Sequence, residues 1–214
     1  MATAKQMQKI MSEYVKKHFD VFFIEIGAYD GKTNDPLFAL VKSHKWQGVL
    51  VEPQDNQFER LKENYGDFQG LHFEKLAIAE HDTVKVFYGV RSTDYDSNTH
   101  GQLNSFNKDV ILKHRHLVKN LDDRVYETKV RCLSFGSILK KYNVTKLDVL
   151  SIDTEGYDYK IIRQIDFSKI KPALIHFEHK HLSLADQKNC FSYLETNGYE
   201  ILNGRFNSLA YIKS

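Results

Sequence analysis

Only two cysteines, Cys132 and Cys190, occur in 214 residues, and they form neither a disulfide framework nor a CxxC metal site. Cys132 sits in a strand-like run and Cys190 in a helical one, so both read as small buried apolar groups. No apolar run approaches the ~18 residues of a membrane-spanning helix, and the N-terminus lacks the apolar h-region of a secretory signal. These absences point to a reducing, cytoplasmic setting and no membrane span. Excess charge is scarce too: 30 Lys and Arg against 28 Asp and Glu leave a net +2. That is too small to argue for a nucleic-acid or membrane partner. The short basic runs Lys16-Lys17-His18, Lys113-His114-Arg115-His116 and Lys140-Lys141 read as solvated helix faces. With three prolines, no internal repeat and no linker-like stretch, nothing divides the chain. Residues 1–214 read as one domain, and a 42% hydrophobic content suffices for its core.

What is present is an alternation of strand and helix signals. Met7, Ile10, Met11, Tyr14 and Val15 recur at helical spacing, which predicts an amphipathic helix within residues 1–19. Val21 to Ile26 is a short apolar run ended by Gly27, as suits a strand buried on both faces of a parallel sheet. Asp35-Pro36 reads as the cap and first residue of a helix through Leu37, Leu40 and Val41. Gly48 to Glu52 is strand-like, and Phe58, Leu61 and Tyr65 mark a helix stopped by Gly66. Leu71 to Ile78 reads as a third strand, and Thr83 to Val90 as a further one paired through a turn at Glu80-His81-Asp82. Residues 91–106 are polar and loop-like, and 107–120 read as helix. Together, residues 91–120 form an insertion expected to shape a substrate pocket.

Glu127 to Leu133 is a strand, Ser134 to Tyr142 a short helix and Leu147 to Ile152 a buried strand. A helix through Ile161, Ile162 and Ile165 follows, and then the strand Ala173 to Phe177. Ser183 caps a helix that uses Leu184, Phe191 and Leu194 and ends at Gly198. Tyr199 to Leu202 and Ser208 to Ile212 are too close for a crossover helix and predict an antiparallel C-terminal edge. The fold class is α/β: a doubly wound, Rossmann-like, mostly parallel sheet with helices on both faces.

In such a sheet, ligands lie beyond the carboxyl ends of the strands. Four strand ends carry unusual chemistry. Glu25-Ile26-Gly27-Ala28-Tyr29-Asp30-Gly31 has the spacing GxxxG, without the GxGxxG of a dinucleotide pyrophosphate site. Its two acidic groups suit a cationic ligand rather than a phosphate, and the sulfonium and amino group of S-adenosylmethionine meet that demand. Glu52 ends the second strand 21 residues after Gly31, where a carboxylate can accept both hydroxyls of an unphosphorylated ribose, with Pro53 fixing the exit. Ala77-Ile78 could sandwich an adenine, although core packing explains that pair equally well. Ser151-Ile152-Asp153-Thr154-Glu155-Gly156 delivers two carboxylates and a glycine into the crevice, where partly buried charges need partners.

These residues, in this order, resemble the FkbM-type methyltransferases. The family pattern looks like D/E-x-G-A-x-x-G at one strand end, then E-P with a later aromatic and Leu, an Ala-Ile pair, a V-x-x-x-(T/S)-(L/F) segment, and K/S-I-D-x-E-G-x-E/D. Here these stand as Glu25 to Gly31, Glu52-Pro53 with Phe58 and Leu61, Ala77-Ile78, Val130 to Phe135, and Ser151 to Asp158. A strand ending in Glu follows, here Ile175-His176-Phe177-Glu178. The resemblance covers roughly residues 20–180. It departs in Glu25 for a frequent Asp, in Tyr29-Asp30, and in Asp158 for Glu, all within or beside the same motifs. It implies a class I methyltransferase fold and O-methylation of sugars, polyketides, small metabolites or glycans. It also implies Glu25, Gly27 and Gly31 near the methionine moiety, Glu52 on the ribose, Ala77 and Ile78 at the adenine, and Asp153, Glu155 and Glu178 on the acceptor side.

The full cofactor-binding set expected is Glu25, Gly27, Ala28, Asp30, Gly31, Glu52, Pro53, Ala77, Ile78 and Asp153. An alcohol acceptor needs a base, and Asp153 is the first choice, with Glu155 and His179 as further catalytic candidates. His176 and His181 read as packing. In a second arrangement, of the catechol O-methyltransferase type, Asp153, Glu178 and His179 hold a divalent ion such as Mg2+ that binds the acceptor oxygen. No N/D-P-P-Y/F sequence follows the later strands, which disfavours exocyclic amine methylation. No Cys after a Pro serves cytosine C5 chemistry. From other classes, an NAD-binding oxidoreductase fits Glu52 but lacks GxGxxG, and Tyr95 lacks the Lys four residues on that short-chain reductases use. A non-catalytic adenosyl-binding module is the remaining alternative.

Overall fold

The computed structural model describes residues 4–91 and 103–212. Most of the expected loop before Leu103, including Tyr95, lies outside the described residues. The main sheet has seven strands in the order β3-β2-β1-β7-β8-β10-β9. These are β1 (Phe22–Ile26), β2 (Gln47–Val51), β3 (Leu71–Glu74), β7 (Val149–Ile152), β8 (Leu174–Glu178), β9 (Glu200–Asn203) and β10 (Asn207–Tyr211). β1 pairs in parallel with β2 and β7, β2 with β3, and β7 with β8. β10 runs antiparallel to both β8 and β9, which is the C-terminal edge expected from the short connection.

The apolar runs are buried on both faces because helices cover both. On one face, Phe23, Leu50, Val149 and Leu209 pack on α1 (Ala4–Lys17), α2 (Phe38–His44) and α3 (Asp55–Tyr65), through Met11, Val41 and Leu61. On the other, Ile24, Ile26, Val51 and Ile152 meet α6 (Phe135–Lys141), α7 (Asp158–Ile162) and α8 (Leu184–Thr196), through Ile138, Ile161 and Leu194. Strand order reverses between β1 and β7, since β1 continues outward to β2 and β7 to β8. This reversal is the switch point where a crevice opens. Cys132 and Cys190 are free and buried. No helix among the described residues is long and apolar enough to cross a membrane.

Five expectations are corrected. The apolar run Leu71 to Ile78 is two strands: β3 stays in the main sheet, while β4 (Ala77–Ile78) leaves it and pairs in parallel with Cys132 and Leu133. A short apolar run with no turn residue gives no local sign of such a split. The strand β5 (Thr83–Val90) does not form a hairpin with the strand before it. β6 (Val125–Leu133) lies between β4 and β5 and pairs antiparallel with β5 along its whole length. The Glu80-His81-Asp82 turn is instead tied to α6, where Asp82 accepts from the Ser134 amide (2.7 Å) and the Ser137 hydroxyl (2.9 Å).

Residues 107–120 are not one helix. α4 (Lys108–Leu112), capped by Asn107, ends early, and a turn leads through left-handed Asn120 to α5 (Leu121–Arg124). Within it, His114 is buried rather than solvated. Finally, α2 begins at Phe38, two residues after Pro36, although the Asp35 carboxylate does accept from the Leu37 amide at 2.6 Å.

Helix α1 is anchored by one buried carboxylate. Asp148 accepts from the Tyr14 hydroxyl (2.7 Å) and the Phe22 amide (2.9 Å), with Lys146 3.0 Å away. Asp148→Ala orphans the Phe22 N–H and is expected to lower the unfolding free energy by about 3 kcal/mol, against about 1 kcal/mol for Tyr14→Phe. Urea midpoints at unchanged m read both, and equal, negligible losses would contradict the anchor.

Candidate functional site

The carboxyl ends of β1, β2, β7 and β8, together with β4, open on one cavity of about 600 Å³, within the range of small-molecule sites. Its geometry begins at Gly27. This residue adopts φ +80°, and a β-carbon there would lie 1.8 Å from the Asp153 carbonyl oxygen. Only glycine lets the ends of β1 and β7 come this close. Val51 accepts from both the Gly27 (2.9 Å) and Ala28 (3.0 Å) amides, and Asp153 donates its amide to Ile26 (2.9 Å), so three strand ends are tied at one point.

Glu52 is buried just beyond β2 and held from both sides. Its Oε2 accepts from the Tyr29 amide and its Oε1 from the Gln54 amide, each at 2.9 Å. Burial nevertheless pushes its carboxyl up to about 7, against those two hydrogen bonds. Glu25, inside β1, is buried and raised well above the ordinary carboxylate range by burial and by the charges of Asp35 and Asp153. Asp35 is itself pushed up by burial to about 6. Glu25 and Asp35 share a carboxyl–carboxylate hydrogen bond that raises Glu25 and opposes the rise of Asp35, and Glu25 Oε2 and Asp35 Oδ2 are buried with no other partner. No ion pair reaches Glu25, Asp35 or Glu52 among the described residues, so the cavity presents carboxylates awaiting a donor.

The remaining expected residues divide into two groups. Ala28, Pro53, Ala77, Ile78, Asp153, Glu155 and Glu178 line the cavity together with Glu25, Gly27 and Glu52. Phe87 and Phe106 add aromatic surface beside Ala77 and Ile78. Asp153 opens onto the cavity, and its carboxyl is pushed up by the protein packed around it and by Glu155 and Asp158. Glu178 is raised by burial and by the charges of Asp153, Glu155 and Asp158, with Lys180 opposing.

Three expected residues are placed elsewhere. Asp30 turns back on its own loop, accepting from the Thr33 amide and hydroxyl (both 2.7 Å) and the Lys32 amide (3.0 Å), with Arg60 at 3.6 Å. Burial alone would raise it, but these contacts hold it below the usual range. Gly31 serves α3: a β-carbon there would lie 2.3 Å from Leu61 Cδ1. His179 faces away from the cavity, with Nδ1 2.9 Å from the Ser208 hydroxyl and its ring against Phe191. Alternation beyond β8 explains this, since Phe177, two residues earlier, packs on the same Phe191.

His176, read from the sequence as packing, is buried with Ser151 Oγ 3.3 Å from its Nδ1, and it forms part of the cavity wall. Burial holds its imidazole down to about 4. His181, also read as packing, lies against Glu155 instead (2.9 Å). The sequence reading missed Tyr29 as a donor to Glu52, Asp35 as a wall residue, and Lys180 and His114 as lining groups. Asp35-Pro36 was the visible signal for the second of these, masked by its resemblance to a helix cap.

Set against known proteins, residues 25–201 match the family described as the methyltransferase FkbM domain. Among solved structures, the chain is similar to the methyltransferase FkbM from Methylobacillus flagellatus KT, with a TM-score of 0.55 and 12% identity over 90% of this chain and 44% of that one. The chain thus spans less than half the length of that protein. It is also similar to the N-terminal domain of human METTL16 (TM-score 0.49, 10% identity, 97% of this chain and 67% of that one). A third similarity is to precorrin-6y C5,15-methyltransferase from Geobacter metallireducens GS-15 (TM-score 0.47, 11% identity, 97% and 88%). At 12% identity the likeness to the Methylobacillus protein is one of fold. No curated protein matches the chain.

The wall carboxylates leave a mark on stability. Glu25, Asp35 and Glu52 hold protons more tightly in the folded chain than in the unfolded one. Their stabilising contribution is complete below about pH 4 and is lost as pH rises through about 6 to 7 and beyond. The depressed imidazoles of His114, His176 and His179 act oppositely and lose stability as pH falls below about 6.5. Above about pH 6.5, where the imidazoles no longer contribute, the ligand-free protein should therefore melt several degrees lower by about pH 8.5, as calorimetric scans would show. A melting temperature that stays flat or rises over that interval would contradict the assignment.

Proposed function

The chain belongs to the FkbM methyltransferase family, and on that footing we propose that it transfers the methyl group of S-adenosylmethionine to a hydroxyl oxygen of a small metabolite, sugar or glycan. The observation that carries this reading is a set of carboxylates around one cavity that no cation neutralises: Glu25, Asp35 and Glu52 have no cationic side chain beside them among the described residues. A fold that buries such groups is complementary to a ligand that brings positive charge and hydroxyl donors. The Glu25–Asp35 pair, whose side chains have only each other as side-chain partners, suits an amino group that can donate to both. Glu52, fixed by the Tyr29 and Gln54 amides, has lone pairs left for two ribose hydroxyls. Ala77, Ile78 and Phe87 supply an apolar slot for a flat base.

Bound there, S-adenosylmethionine would supply a methyl group on a positively charged sulfur, open to in-line displacement. The chain's own work is then alignment and proton handling. Asp153 faces the cavity, and although burial, Glu155 and Asp158 raise its carboxyl, the positive sulfur of the bound donor would favour its ionised form, in which it can take the acceptor's hydroxyl proton. Glu155 lies on the same side with its backbone carbonyl pinned by the Ser105 hydroxyl at 2.9 Å. His179, turned toward Ser208, has no part in this arrangement.

Calorimetric titration with S-adenosylmethionine, S-adenosylhomocysteine and NAD tests the reading. The two adenosyl-sulfur ligands should bind and NAD should not. Glu52→Ala should weaken binding on the order of 100-fold, since it removes two charge-assisted hydrogen bonds of roughly 1.5 kcal/mol or more each. Asp153→Asn should bind within a few-fold of the parent yet transfer labelled methyl groups to hydroxylated acceptors ~10²–10⁴-fold more slowly. Preference for NAD, or transfer to amines alone, would overturn the reading.

A further inference from the structure

Beyond the carboxylates assigned to the methyl donor, a second cluster stands at the cavity wall, where Glu155 and Glu178 line it and His181 lies behind them. Glu155 Oε2 and His181 Nε2 are 2.9 Å apart, and Glu178 Oε1 lies 3.8 Å from the same nitrogen. One ligand atom from each of the three residues falls within 4.8 Å of the other two. The side chains of His181, Glu178 and Glu155 are only 5%, 10% and 17% exposed. Despite this proximity, Glu155 Oε2, Glu178 Oε2 and His181 Nε2 are all buried with no hydrogen-bond partner. The imidazole and the nearer carboxylate oxygen are at hydrogen-bond distance but are not aligned as donor and acceptor.

The backbone is arranged to keep them there. Glu155 adopts φ +51°, which L side chains rarely do, and Gly156 follows at φ +96°. A β-carbon at Gly156 would come within 3.2 Å of the His181 carbonyl, so the glycine lets the β7–α7 turn close on the segment after β8. The Glu178 amide donates to buried Asp158 (3.1 Å), fixing the end of that strand. The His114 ring packs against His181 at 5.3 Å between centroids and walls the cluster from the insertion side.

We propose that Glu155, Glu178 and His181 form a three-ligand site for a first-row divalent cation of the zinc and manganese type, with its open face toward the methyl acceptor. Ligand atoms within 4.8 Å of one another lie close enough for small side-chain shifts to bring all three onto one ion with bonds of about 2.0–2.2 Å. Two carboxylates with one imidazole favour a borderline ion over magnesium, which prefers oxygen donors and retained waters. Such an ion would neutralise the clustered carboxylates and bind an acceptor oxygen, lowering its pKa. Its use in methyl transfer rests on the proposed function, but its binding does not. These ligands also differ from the Asp153, Glu178 and His179 set expected from the sequence, since His179 faces Ser208.

The test is a titration of the metal-free purified chain with Co2+, followed by its displacement with Zn2+. The expected result is visible d–d absorption that saturates at one ion per chain and disappears on addition of Zn2+. Glu155→Gln and His181→Gln should each weaken Co2+ binding by more than the ~10–100-fold typical of outer-shell changes. S-adenosylhomocysteine affinity, measured on the same variants, shows that the fold and the donor site are intact. No cobalt spectrum, or the same affinity in parent and variants, would overturn the site. A normal cobalt titration in a chain that ignores S-adenosylhomocysteine would support the site and count against the methyl-donor reading alone.

Discussion

The close approach of the β1 and β7 carboxyl ends is the contact on which the rest of the site depends. Gly27 lies so near the Asp153 carbonyl that any side chain would push the strands apart. The same junction ties in β2, because Val51 accepts from the first two amides after β1. From that knot the chain departs in three directions, and each exit carries a carboxylate: Asp35 after β1, Glu52 after β2, and Asp153 with Glu155 after β7. A crevice at the switch point is a general property of doubly wound sheets. What is particular here is how many acidic groups the local geometry aims into it.

That concentration of charge runs against folding. Burial raises Glu25, Asp35, Glu52 and Glu178, and neighbouring carboxylates raise several of them further. Among the described lining residues, Lys180 is the one Lys or Arg. Groups of this kind persist where a ligand completes them, and perturbed titration in a cleft is a mark of functional sites. In the proposed function the two ends of the cavity divide the work: Glu25, Asp35 and Glu52, which lack a cationic partner, serve the donor, and Glu155, Glu178 and His181, within 4.8 Å of one another, serve the acceptor.

Much of this was legible in the sequence, for identifiable reasons. Apolar runs such as Phe22 to Ile26 and Val149 to Ile152 announce strands buried on both faces, and polar residues or glycines just beyond them announce the crevice. Glu52 could be read because its place at a strand end is a local fact. What failed was non-local. The pairing of β4 with β6, and the insertion of β6 between β4 and β5, leave no periodic trace in Leu71 to Val90. The choice among the histidines after β8 turned on side-chain direction. Alternation sends His179 to Phe191, and only the turn at Leu182 brings His181 round to Glu155. Asp30 and Gly31 fit a binding motif by spacing, yet one folds onto Thr33 and the other packs under Leu61.

The central claim is that the donor-side carboxylates are tuned for a cationic adenosyl ligand. Its most direct test is the proton balance of binding, measured by calorimetry of S-adenosylmethionine in buffers of different ionisation enthalpy. If Glu25, Asp35 and Glu52 bind protons in the free protein and give them up to a positive ligand, binding near pH 7 should release protons and tighten between about pH 6 and 7.5. An apparent enthalpy independent of buffer, with affinity unchanged across that range, would contradict it.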